Sequence, residues 1–150
     1  MSTKAIPILV SGAGAQVGAH VVKSMAPEYE VIHFTFAAAA TKEIPLLLKR
    51  EVPKDPSSDL GSGNWDVFPK ALVFGGAYKD EMIEDVRKAV AQTEGVKRIP
   101  WLRVDNNKPH PPPETGADYA SLIVSRLKAM LMKLEDEGKF DADDDSLYLF

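Results

Sequence analysis

Hydrophobic and polar positions change their period repeatedly along this chain of 150 residues. Ile6 to Val10 is an unbroken apolar run, the pattern of a strand covered on both faces. From about Gln16 to Met25 the period becomes helical, with Val17, Val21, Val22 and Met25 on one stripe and Pro27 as the stop. "YEVIHFTF", residues 29–36, predicts a second strand. "AAAATKEIPLLLKR", residues 37–50, predicts a helix that starts near Thr41 or kinks at Pro45. Residues 51–70 are rich in proline and glycine and show no period. They read as a lid, an Ω-loop or a flexible insert, pinned to the body by Trp65 and Phe68.

The second half is more regular. "KALVFGGAY", residues 70–78, is a strand running into a glycine pair. A helix follows, with Met82, Ile83, Val86 and Val90 inward, Asp80 as its N-cap and Gly95 as its stop. "RIPWLRVD", residues 98–105, gives a fourth strand, with Pro100 near its start. The longest helix covers residues 118–138, with Leu122, Ile123, Leu127, Met130, Leu131 and Leu134 inward. The closing "SLYLF" is apolar again, as an added strand, a docked end or a subunit contact. Strand and helix thus alternate four times in a single domain, 1–150. That alternation predicts an α/β fold, a Rossmann-like or flavodoxin-like three-layer αβα sandwich. About four parallel strands joined by right-handed crossovers take the order 2-1-3-4.

Composition narrows the classes. The chain has no cysteine, which removes disulfides, thiolate nucleophiles and Cys-ligated zinc. Its three histidines lack ligand spacing, so no metal site is expected. The apolar run before the first glycines is too short for a signal-peptide core, and nothing approaches a membrane span. A cytoplasmic protein without a membrane partner is expected. The net charge of −4 is concentrated in residues 135–145, where seven acidic groups accompany one lysine. This run reads as a solvated face or a loose acidic tail, residues 139–150, with an apolar end. No Lys/Arg cluster with interleaved aromatics appears, so nucleic acid is not an expected partner. The mildly basic remainder suits a phosphorylated ligand.

In open α/β sheets ligands bind beyond the carboxyl ends of the strands, where the winding direction switches. The loops there are "SGAGAQVG" and "GGAYKD", so Gly12, Ala13, Gly14, Ala15, Gln16, Gly75 and Gly76 are the candidate binding residues. Glycines let backbone approach a ligand, and a helix N-terminus offers unpaired N–H groups. A tight turn alone would also favour glycine. "GAGAQVG" resembles the GxxGxxG turn of extended short-chain dehydrogenases over about residues 1–35, with Ala15 replacing the middle glycine. That resemblance implies NAD(P) as cofactor. Yet the second strand ends in "HFTF" without the acidic ribose anchor, and no Tyr-x-x-x-Lys pair follows Tyr29, Tyr78 or Tyr119. The hydroxyl-rich loop that holds FMN in flavodoxins is missing too. Over nearly the whole chain, "PEYEVIH", "PSSDLGSG", "VFGGAY", "PWLRVD" and "KPHPPP" resemble a set of short fungal Rossmann-like proteins. That resemblance implies the layout and a fungal source, and carries no activity.

Four side chains are candidates for chemistry. His33 near the end of the second strand suits a general base, and Tyr78 after the glycine pair suits a proton donor or a ring cover. Arg103 and Asp105 alternate along the fourth strand and share a face, as an anion site or an ion pair. The expected function is binding of a nucleotide or other small molecule at the crevice, in secondary metabolism. The alternatives are a cofactor-independent isomerase, cyclase or dehydratase in the same crevice, and a non-catalytic module that dimerises through its last helix and C-terminal end.

Overall fold

The computed structural model describes residues 4–150. The first three residues of the N-terminal run, where no leader is expected, lie outside the described residues. Strand β1 (Ile6–Gly12) is central; β2 (Tyr29–Phe36) flanks it on one side and β3 (Leu72–Phe74) on the other. Outward from β3 come β4 (Trp101–Arg103) and β5 (Leu147–Leu149). The sheet has five strands, all parallel, in the order β2-β1-β3-β4-β5. Four helices cover it: α1 (Ala15–Met25), α2 (Ala40–Leu48), α3 (Asp80–Ala91) and α4 (Ala117–Asp136). The expected α/β sandwich is the observed fold, with its first four strands in the expected order.

Alternation along the strands builds two cores. Ile8 and Val10 of β1 face α1 and α4, together with Val73 and Leu102. Leu9 faces α2 and α3, together with Leu72, Phe74 and Trp101. The inward stripes read from the sequence are largely the buried ones: Val21 and Met25 on α1, Ile83 and Val86 on α3, Leu127, Leu131 and Leu134 on α4. Asp80 is the first residue of α3 and Lys79 precedes it as the cap, one position earlier than the sequence suggests. A short 3-10 turn, Ala37–Ala39, leads into α2, which carries Pro45 in its interior.

The fifth strand extends the expected sheet. Trp101 N–H donates to Ser146 O at 3.0 Å, and Phe150 N–H donates to Arg103 O at 3.0 Å. The acidic run leading into β5 is tied down by ion pairs, Asp141 to Lys70 at 2.8 Å and Asp145 to Arg98 at 3.2 Å. Such exposed pairs contribute about 0–1 kcal/mol each. Burial of Phe140 and Phe150 stabilises this end more, since a fully buried aromatic side chain is worth about 1.5–3 kcal/mol.

The hand of the last connection is the unusual feature. The chain passes from β1 to β2 in one direction with α1 on one face. It then moves the other way through β3 and β4 with α2 and α3 on the opposite face. Those three crossovers share one hand. The fourth continues from β4 to β5 in that same direction, but α4 lies on the α1 face, so its hand is opposite. About 98% of such crossovers are right-handed, and the rule gives no reason to expect a fifth strand here.

Residues 51–70 form a strap along the outer edge of β2. Phe34 N–H donates to Leu60 O at 3.2 Å, Ser62 N–H to Val31 O at 2.8 Å and Gly63 N–H to Ile32 O at 2.9 Å. Ser57 and Ser58 hydroxyls meet the backbone of Phe36 and Phe34. Gly61 adopts φ +104°, and a Cβ there would fall 2.6 Å from Ile32 O. Trp65 and Phe68 pack on the α2 and α3 core, the anchoring role their aromatic rings suggest.

Candidate functional site

The β1–α1 and β3–α3 loops come together at the carboxyl end of the sheet. Gly75 N–H donates to Ser11 O at 2.8 Å, so the two glycine loops are adjacent strands' continuations. Below them a cavity of about 280 Å³ opens between the sheet and the α1/α4 layer. Gly12, Ala13, Gly14, Gly75 and Gly76 line its mouth. Phe34, Val17, Val21, Leu127 and Phe150 line its depth. Ala15 and Gln16 are in the first turn of α1 and are not part of the lining.

Helix α1 begins at this cavity without a side-chain cap or an acidic residue in its first turn. Its first N–H groups are therefore without the usual side-chain acceptor, at the positive end of the helix. Gly18 sits one turn further in. A Cβ there would fall 2.8 Å from the Phe34 ring, so glycine sets how closely α1 approaches β2. A Cβ on Gly14 would meet nothing within 4 Å.

The walls are almost wholly apolar; apart from Ser11, whose hydroxyl is taken up by Thr35 O and Tyr78, their polar side chains come from the second half of the chain. Tyr119 is buried in α4, and its hydroxyl has no hydrogen-bond partner among the described residues. Burial raises its pKa, with the Arg126 charge a smaller opposing effect, so the O–H remains a donor at neutral pH. His110 stacks edge-on against Tyr119, with ring centroids 5.4 Å apart. Its Nδ1 lies 2.8 Å from Pro111 O. A carbonyl can only accept, so Nδ1 carries the proton and Nε2 is an acceptor in the neutral ring. Asn106 Nδ2 donates to Gly76 O at 2.9 Å, which leaves its Oδ1 free to accept. Arg126 donates to Pro109 O and holds this proline-rich loop over α4.

The four chemistry candidates lie elsewhere. His33 is on the other face of the sheet. A bulge between Ile8 and Leu9 in the β1–β2 register turns both Ile32 and His33 toward α2. There His33 Nε2 lies 2.9 Å from Glu43 Oε1, and Ser57 Oγ donates to the same carboxylate oxygen at 3.0 Å. Glu43 and His33 are both about 3% exposed. The cluster latches the strap to α2.

Tyr78 is also buried among the α2 and α3 side chains. Ser11 Oγ donates to Thr35 O at 2.8 Å, which uses its one proton, so Tyr78 O–H donates to Ser11 Oγ at 2.6 Å. Arg103 pairs with Asp80 at 2.5 Å and donates to Tyr78 O at 2.8 Å, fixing the start of α3. Asp105 accepts from Asn107 N–H at 3.0 Å in its own loop and makes no pair with Arg103. The cavity thus gathers Gly12, Ala13, Gly14, Gly75 and Gly76, whereas His33, Tyr78, Arg103 and Asp105 do not line it. It adds Tyr119, His110, Asn106 and Phe150, which no local motif marks. Among the described residues no helix is long and apolar enough to cross a membrane.

No family model matches the chain, and no solved structure matches it. A relative does: Kojic acid related protein 6 of Aspergillus oryzae is 33% identical over 140 residues, 93% of this chain and 84% of the relative.

Proposed function

The chain belongs to the same family as Kojic acid related protein 6, and from that premise we propose that it binds a small organic molecule of kojic-acid-related secondary metabolism. The ligand sits in the cavity between β1, β3, α1 and α4, with Gly12, Ala13, Gly14, Gly75 and Gly76 as its mouth. The observation that carries this reading is the cavity itself, about 280 Å³ and walled by apolar side chains. Water in an open pocket with apolar walls finds few hydrogen-bond partners there, so an apolar ligand displaces it favourably. A larger side chain in place of Val17 would fill it, so leaving it open suits a ligand.

Size decides against a dinucleotide held within it. Pockets for drug-sized ligands run from about 300 to 1,000 Å³, so this one takes a single small ring. The missing acidic residue at the end of β2 points the same way, since nothing there would hold an adenosine ribose.

Thermal unfolding tests the reading. Kojic acid at millimolar concentration should raise Tm, whereas NAD, NADP and FMN should not. Val17→Phe, which fills the cavity, should abolish the rise. A rise undiminished in Val17→Phe, or none with any small ring compound, would overturn it.

A further inference from the structure

The polar groups of the cavity form a pattern that specifies more than size. A Cβ built on Gly76 would fall 2.3 Å from the Tyr119 hydroxyl oxygen and 3.2 Å from Asn106 Oδ1. Both atoms therefore hang over one backbone position at the cavity wall, within two hydrogen-bond lengths of each other. Tyr119 is 5% exposed and offers an O–H with no partner among the described residues. Asn106 has committed its Nδ2 to Gly76 O and offers Oδ1 as an acceptor. His110 packs edge-on against the Tyr119 ring and holds it in place. One donor thus stands beside one acceptor at the edge of a surround that is otherwise apolar.

We propose that this wall reads a hydroxyl next to a carbonyl on the edge of a small ring. The carbonyl oxygen accepts from Tyr119 O–H. The neighbouring hydroxyl donates to Asn106 Oδ1 at the exposed rim. Tyr119 O–H is buried and goes unsatisfied against a ring without the carbonyl, whereas the exposed Asn106 Oδ1 can turn to water, so loss of the carbonyl weakens binding more than loss of the hydroxyl. Gly76 is part of the device, because any side chain there would displace the Tyr119 hydroxyl. The inference rests on the cavity being the ligand site, and its test separates the two.

Calorimetric titration with kojic acid, its ring-hydroxyl methyl ether and toluene is that test. Kojic acid carries a ring hydroxyl beside a ring carbonyl, the ether has lost the donor, and toluene has neither. The ether should bind about two- to threefold more weakly than kojic acid, because water replaces the lost hydroxyl at the exposed Asn106. Tyr119→Phe should weaken kojic acid about tenfold and leave toluene unchanged, which also shows that the variant is folded. Equal binding of kojic acid and its ether, toluene bound in preference to both, or a Tyr119→Phe variant with unaltered kojic acid affinity would overturn the inference while leaving the cavity as a site. Failure of all three compounds would remove the cavity reading as well.

Discussion

Gly18 shows how one missing side chain sets the site. In a helix interior, alanine is ordinarily about 1 kcal/mol better than glycine. Here the added carbon would lie 2.8 Å from the ring of Phe34, which is itself buried. Overpacking of that kind costs about 1–3 kcal/mol, so the sign should reverse. Gly18→Ala is expected to lower Tm, and the same change beside Phe34→Leu should cost less; equal losses in both backgrounds would show that the ring is not the obstacle. At this scale the glycines at 12, 14 and 18 were legible because a strand-turn-helix needs them in a short window. Tyr119 was not. It lies at the start of a helix whose Leu and Ile stripe explains itself, and it meets Gly76 only through the fold. His110 was equally hidden, in a proline-rich loop whose position Arg126 sets through Pro109.

Among the elements, the strap and the last strand behave differently from their sequence impressions. The 51–70 segment lacks regular structure, and a period-based reading offers no way to see that its backbone pairs with the edge of β2. Its latch is Glu43, whose carboxylate accepts from Ser57 N–H, Ser57 Oγ and His33. Glu43→Ala should free the strap, seen as faster proteolysis between residues 51 and 63 and faster amide exchange at Phe34. Kojic acid binding should be unchanged, because the strap is not part of the cavity; loss of binding with an intact strap would contradict this division. The turn into β5 is closed by Asp144. Hydrogen bonds from Ser146 and Tyr148 hold its pKa down to about 2 from 3.8. Between those values the unfolded chain takes up a proton that the folded chain refuses, so stability present above pH 4 is lost as pH falls toward 2. Asp144→Asn should flatten that part of the acid-unfolding profile, and an unaltered profile would count against the role. The strand itself was hard to foresee, since "LYL" is only three residues long and its crossover has the rarer hand.

For the whole molecule, the two faces of the sheet carry different duties. The α2/α3 face carries the buried polar pairs, Ser11 with Tyr78 and His33 with Glu43, and holds the frame, with a further hollow of about 480 Å³ between His33, Trp65 and the strap. The α1/α4 face keeps the cavity. The alternation of strands and helices made the sandwich legible, and the switch between β1 and β3 made the loops of the site legible. That the glycine loops would overlie an apolar cavity was not, because that depends on α4 lying beside α1 despite leading to β5. The edges of the sheet are unequal in the same way. The strap occupies the hydrogen-bonding groups of β2, whereas among the described residues no strand lies beyond β5. A unit with one joint cannot make a chain. Two copies meeting β5 to β5 would use up both joints and stop at a pair, and open-ended growth would first require the strap to be pulled away.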